Sequence, residues 1–241
     1  KCGIQFPEEA AAGKRRIPVR FNFSYDHIME STEGILHRLG IDHLDVLLLH
    51  RPDPLVEPEE VAEAFMELHK SGKVRNFGVS NHSAAQIELL EAYVDQPLVT
   101  NQLEISLLHP DLLVAGTAVN QRAPEHVLRN EGTLEYCREN GITIQAWSPM
   151  AKGLLSGAEV SGEPEHVRSA AKLVAELAEE KGVSKEAIVL AWLLEHPAPI
   201  LPVVGTTNPK RIAAAAEAER AHLTREEWYL LLEEARGLSM P

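Results

Sequence analysis

Along the chain, short apolar runs of strand length alternate with stretches in which apolar residues recur every three or four positions. Asp45–His50 (DVLLLH) is the clearest run, nearly continuous in apolar side chains, as in a strand covered on both faces of a parallel sheet. Ahead of it, Ile28, Thr32, Ile35, Leu36 and Leu39 share one helical face, and Gly40 marks the stop. A second helix is expected from Pro58, whose fixed φ suits a first turn. It carries Val61, Phe65 and Leu68 on one side and ends at Gly72. Val74–Ser80, Leu98–Leu103, Ile142–Trp147 and Ile200–Val204 read as further strands. Ser83 with Gln86 has the form of a capping box for the helix of Ile87 and Leu90. Helices are expected near Val167–Lys181 and after Ser184. Thr224 with Glu227 caps a closing helix whose Leu230, Leu231 and Ala235 are placed to cover the sheet. Leu107–Asn130 has the least regular pattern, rich in His, Pro, Asn and Arg, and reads as a long loop.

Strand–helix alternation of this kind calls for a parallel sheet with helices outside. An open dinucleotide-binding sheet would show G-x-G-x-x-G after an early strand, and the sequence has none. A (β/α)8 TIM barrel collects function at the C-terminal ends of its strands. Polar residues do fall there: His50, Ser80–Asn81, Asn101–Gln102 and Trp147–Ser148. The expected fold class is therefore an α/β barrel, with residues 1–241 forming a single domain.

Composition narrows the partners. Lys and Arg number 23 against 36 Asp and Glu, a net charge of −13, which argues against nucleic acid or an anionic membrane surface. Cys2 and Cys137 are the only cysteines, so no disulfide framework is expected and a reducing cytoplasm fits best. No apolar run approaches the roughly 18–20 residues that cross a bilayer. Lys1–Phe6, followed by Pro7-Glu8-Glu9, does not read as a signal peptide. The 11 histidines scatter without HxH or HExxH spacing, so no metal site is expected, and a metal-dependent barrel hydrolase is disfavoured.

Several stretches, in order and in register, resemble the aldo-keto reductase family: Lys1-Cys2-Gly3, LGIDHLDVLLLHRPDP (39–54), SGKVRNFGVSN (71–81), TNQLEIS (100–106), AWSPM (146–150) and PVVGTTNPKRI (202–212). The resemblance spans the chain and is most specific at HRPDP and GVSN. It implies an oxidoreductase that transfers a hydride from NADPH to the carbonyl carbon of an aldehyde or ketone, a small-molecule substrate. Negative charge then develops on the carbonyl oxygen, where an acid must stand ready. The family uses a Tyr acid, a Lys that lowers its pKa, an Asp that holds the Lys and a His that orients the carbonyl. His50 matches the His at the end of the fourth barrel strand, and Lys1 the Lys at the end of the third. The Tyr and Asp belong to a segment this sequence does not contain. The first two βα units and most of the third strand are therefore expected to lie upstream, about 60 residues on typical barrel dimensions. An unclosed barrel leaves strand edges and apolar surface in water, so these residues alone are expected to be unstable or to aggregate unless a partner chain fills the gap.

For the cofactor, NADP(H), the resemblance implies that Ser80, Asn81 and Gln102 bind the nicotinamide carboxamide and that Trp147 stacks on the ring, where a Tyr is usual. It places Ser148, Met150, Lys152 and Gly153 along the pyrophosphate, and Gly205, Thr206, Thr207, Lys210 and Arg211 at the adenosine 2′-phosphate. Arginine suits bidentate phosphate recognition and favours NADPH over NADH. Ala214 and Ala215 replace an acidic residue and an Asn that contact adenine in the family, so that contact is expected to be weaker. An alternative is an NADP-binding regulatory protein of the same family that does not turn over. Tyr25 and Asp26 do not replace the missing pair: Asp26 reads as a helix cap and Tyr25 as packing. Trp192 and Trp228 read as core, and Cys2 lacks the base and resolving cysteine of a nucleophile.

Overall fold

A computed structural model describes residues 1–6, 18–118 and 132–239. The chain divides into two compact units, residues 1–102 and 103–241. In the first unit a two-residue ladder, β1 (Ile4–Gln5) antiparallel to β2 (Arg20–Phe21), precedes α1 (Tyr25–Leu39), β3 (Leu44–Leu49), α2 (Pro58–Lys70), β4 (Val74–Ser80), α3 (Ala84–Glu91) and the start of β5 (Leu98–Glu104). β3 pairs with β4 and β4 with β5, both in parallel, as the strand–helix alternation requires. The β1–β2 ladder was not foreseen; two residues per strand are too few to show a period.

The helices start and stop where the chemistry directs. Ser24, not Asp26, caps α1: its Oγ accepts the His27 N–H, while Asp26 occupies the first turn near the positive end of the helix dipole. Tyr25 is half-exposed, and its hydroxyl donates to Glu67 Oε2 at 2.6 Å, tying α1 to α2 rather than filling a core. The expected α1 face is buried at Ile28, Thr32 and Leu36 but has turned outward at Leu39. Gly40 closes the helix in the left-handed conformation, φ 66°. The Phe65 ring of α2 stacks on Phe77 of β4 with centroids 3.9 Å apart. Leu47, Leu48 and Leu49 are buried as expected, whereas Val46 reaches solvent.

In the second unit, α4 (Asp111–Val114) and α5 (Thr133–Glu139) precede β6 (Thr143–Trp147), α6 (Glu165–Lys181), α7 (Lys185–Leu194), β7 (Ile200–Pro202), α8 (Pro209–Ala216) and α9 (Arg225–Arg236). β6 and β7 pair in parallel, Ile144 opposite Ile200. β7 stops at Pro202, two residues short of expectation: proline has no N–H to continue a ladder, although Val203 still donates its N–H to the Ala146 carbonyl. The stretch read as a loop contains α4 and a 3-10 turn, Ala115–Ala118; residues 119–130 of it lie outside the described residues. The Thr224/Glu227 capping box is present, and α9 buries Leu231, Leu232 and Ala235, while Leu230 faces solvent. Trp192 of α7 is fully buried and Trp228 of α9 half-buried, their rings stacked with centroids 4.9 Å apart.

Candidate active site and cofactor cleft

Each unit gathers one set of the candidate residues. In the first, polar side chains stand at the C-terminal ends of β3, β4 and β5. The Lys1–Gly3 segment runs beside the end of β3: Cys2 donates its N–H to the Leu48 carbonyl at 3.0 Å, bridges Leu49 in parallel sense, and its carbonyl accepts the His50 N–H at 2.9 Å. Lys1 and His50 are thus brought to one place by backbone pairing. Lys1 Nζ donates to Gln102 Oε1 at 2.6 Å, which adds the end of β5 to the group. Partial burial, then the charges of Lys1 and Arg51, hold the His50 imidazole below its usual pKa. Partial burial and Arg51 lower that of the Lys1 ammonium in turn.

Ser80, Asn81 and Gln102 form a connected knot. The Gln102 carbonyl accepts both the Ser80 hydroxyl and the Asn81 N–H at 2.9 Å. The Asn81 side-chain amide donates to Ser80 Oγ at 2.9 Å and to the His50 carbonyl at 3.3 Å. Asn81 reaches these partners with φ 61°, a left-handed conformation that Asn tolerates better than other side chains. Gly78 in the same strand is required by close approach: a Cβ there would sit 2.6 Å from Thr100 Cγ2 and 2.7 Å from its carbonyl oxygen. Two neighbours of the knot escaped the functional reading of the sequence. Asp53 is buried and accepts the Phe23 N–H at 3.0 Å and the Leu55 N–H at 2.9 Å, fastening the loop after His50. His82 is buried, contacts the Ser80 carbonyl at 2.9 Å through Nδ1, and burial pushes its pKa down to about 4. The HRPDP and GVSN-H contexts mark both positions in the sequence; what they do depends on backbone groups that only folding supplies.

In the second unit, a cleft of about 340 Å³ opens between the turn after β6 and the residues following β7. Ser148, Met150, Lys152, Gly153, Gly205, Thr206 and Arg211 all line it, together with Glu186 and Ala215. The turn is tightly wound, with positive φ at Ser148 (54°), Ala151 (43°) and Lys152 (60°) as well as at Gly153 (85°). Such a run of unusual backbone marks functional loops more often than structural ones. Asn208 caps α8 by accepting the Lys210 N–H at 3.0 Å, and its own N–H donates to Thr206 Oγ1 at 3.2 Å, which sets Arg211 on the first turn facing the cleft. Thr207 and Lys210 are exposed and do not line the cleft. Trp147 ends β6, half-buried, with its carbonyl accepting the Ile105 N–H at 3.4 Å. Burial raises the Cys2 thiol to about 11, as expected of a packing residue rather than a nucleophile. Among the described residues no group of His, Cys, Asp and Glu is arranged to hold a metal ion, and no helix is long and apolar enough to cross a membrane.

Parallel strands alternating with helices, with polar groups at the strand ends and a cleft after the last strand, define an α/β protein whose candidate site lies at the C-terminal ends of its strands. Residues 2–233 match the model of the aldo/keto reductase family. The chain is 38% identical over its whole length to the uncharacterized oxidoreductase YcsN of Bacillus subtilis, covering 73% of that protein. It is 37% identical over 98% of its length to the 6-dehydroglucose reductase of Agrobacterium fabrum, covering 71% of it. The crystal structure of the glycerol dehydrogenase of Gluconobacter oxydans superimposes with a TM-score of 0.78 at 22% identity, over 99% of this chain and 72% of that one, a likeness of fold alone. The chain belongs to the aldo/keto reductase family, and with it to the oxidoreductases that act on carbonyl groups. Its fold class is accordingly that of the (β/α)8 barrel.

Proposed function

We propose that the protein binds NADP(H) and reduces the carbonyl group of an aldehyde or ketone. The reading rests chiefly on the cleft, where residues expected at the pyrophosphate and the 2′-phosphate converge around the Lys152 and Arg211 cations. The donor set suits such a group: two cations, the Thr206 hydroxyl and a backbone kept open by Gly153 and Gly205 fit phosphate oxygens. The reduced nicotinamide, when bound, supplies the hydride. Ser80, Asn81 and Gln102 would hold its carboxamide.

Lys1 and His50 act at the carbonyl oxygen. The lowered pKa of His50 leaves its imidazole neutral at pH 7, so it can donate a hydrogen bond to that oxygen without adding a proton to the resting site. Lys1 carries the positive charge that favours an oxyanion and acidifies the proton donor.

Fluorescence titration with NADPH, with NADH as control, tests the reading alongside turnover of a generic aldehyde. 6-Dehydroglucose, the substrate in the Agrobacterium relative's name, is the first polyhydroxy substrate to try. NADPH-selective binding is expected, with turnover where the Tyr acid and the Asp of the family are also supplied. Binding without turnover would favour the regulatory alternative, and a folded protein that binds neither nucleotide would overturn the assignment. Arg211→Met is expected to weaken NADPH by roughly 10- to 100-fold, the worth of a charged hydrogen bond, and NADH far less. Equal losses for the two nucleotides would remove Arg211 from the 2′-phosphate site.

A further inference from the structure

The cleft holds one carboxylate among the described residues that line it, and no family motif accounts for that group. Glu186, in the first turn of α7, is 17% exposed and places Oε1 3.8 Å from Arg211 Nε. That separation is an ion pair but too long for a hydrogen bond, so the guanidinium, 45% exposed, keeps its donors for another partner. Other anchors fix the elements carrying the two groups. Ser184 caps α7 and donates its hydroxyl to the Ala214 carbonyl of α8 at 2.9 Å, and Glu217 accepts the Ser184 N–H at 2.8 Å. The acid and the arginine are therefore held in one cleft by packing that does not depend on their own contact.

We propose that Glu186 sets the choice between NADPH and NADH by competing with the 2′-phosphate for Arg211. The inference rests on the NADP(H) reading. A 2′-phosphate entering the cleft finds the Arg211 donors free but must share the arginine's charge with Glu186 and lie beside a second anion. At such range, in a partly desolvated cleft, that repulsion opposes binding by roughly tenfold. NADH brings a ribose 2′-hydroxyl to the same place, and a carboxylate accepts a hydrogen bond from it, as acidic residues do in other dinucleotide sites. Glu186 thus penalises one nucleotide and assists the other. The preference for NADPH that Arg211 and Thr206 create is narrowed, and the enzyme draws on both cofactor pools.

Calorimetric dissociation constants of NADP⁺ and NAD⁺ for the whole gene product test this without turnover. Glu186→Gln, which keeps the shape of the side chain, is expected to tighten NADP⁺ roughly tenfold and to loosen NAD⁺. Glu186→Lys is expected to move the ratio further the same way, and circular dichroism confirms that each variant is folded. An unchanged ratio in both variants overturns the proposal. So does a fall in NADP⁺ affinity, which would mean that Glu186 orients Arg211 for the phosphate rather than competing with it. A wild-type protein that binds neither nucleotide overturns the cofactor reading, and this inference with it.

Discussion

His50 and His82 stand just beyond neighbouring strands, and both are held below the usual imidazole pKa, for different reasons. At His50 partial burial acts together with the nearby cations, while at His82 burial is the main cause, opposed by the contact with the Ser80 carbonyl. The consequence for stability belongs to this scale. Because the folded value of His82, about 4, lies below the unfolded value of 6.5, the unfolded chain takes up the proton first as pH falls. The stabilisation is whole above pH 6.5 and is lost progressively toward pH 4, a change of about 3 kcal/mol. Denaturant unfolding of wild type and His82→Gln between pH 7 and 4 should show the slope shrinking in the variant. Parallel slopes would mean that His82 is not the group that titrates. At residue scale, the strand-end pattern of the sequence already singled out His50, Ser80, Asn81 and Gln102. The hydrogen bonds of Asp53 and the placement of Glu186 did not show, since they depend on partners distant in sequence, Phe23 and Arg211.

At the scale of elements, helix ends were the most legible feature. The Ser83/Gln86 and Thr224/Glu227 boxes both form, because capping is a local exchange of hydrogen bonds between residues three apart. Packing between helices was less legible. Each indole of the Trp192–Trp228 pair donates Nε1 to the other's backbone carbonyl, at 3.1 and 2.8 Å, so the stack is also a reciprocal latch between α7 and α9. The sequence marked both residues as core but could not show that either N–H was satisfied, still less by the other. Trp228→Phe keeps most of the ring and leaves the Trp192 carbonyl without that donor. A loss of roughly 1–3 kcal/mol is expected in thermal or urea unfolding. A variant as stable as wild type would mean that water replaces the indole at no cost. Lys181 and Glu227, 2.8 Å apart and both largely shielded, tie α6 to the start of α9 and add a contact no local pattern announces.

For the whole molecule, a net charge of −13 coexists with a cleft lined by the Lys152 and Arg211 cations, so bulk charge does not describe a local site. Large apolar side chains remain in water in the second unit, including Leu194, Leu201, Val203 and Ile212 around α7, β7 and α8. Exposed apolar side chains in such number promote association. The 241-residue polypeptide expressed by itself is expected to bind a hydrophobic dye and to self-associate. A monodisperse, cooperatively melting species in light scattering and calorimetry would contradict that.

By itself the sequence determined the strand–helix order, the two capping boxes, the parallel sheet and the family. These follow from periodicity, from capping within a turn and from motifs that hold their register along the chain. Tertiary structure alone decided that Lys1 meets Gln102, that Asn81 braces His50, that Asp53 fastens the following loop and that Glu186 faces Arg211. The physical reason is range. A cap or an amphipathic face is written within a few residues, whereas an ion pair or a buried hydrogen bond is made between elements whose approach depends on the packing of everything between them.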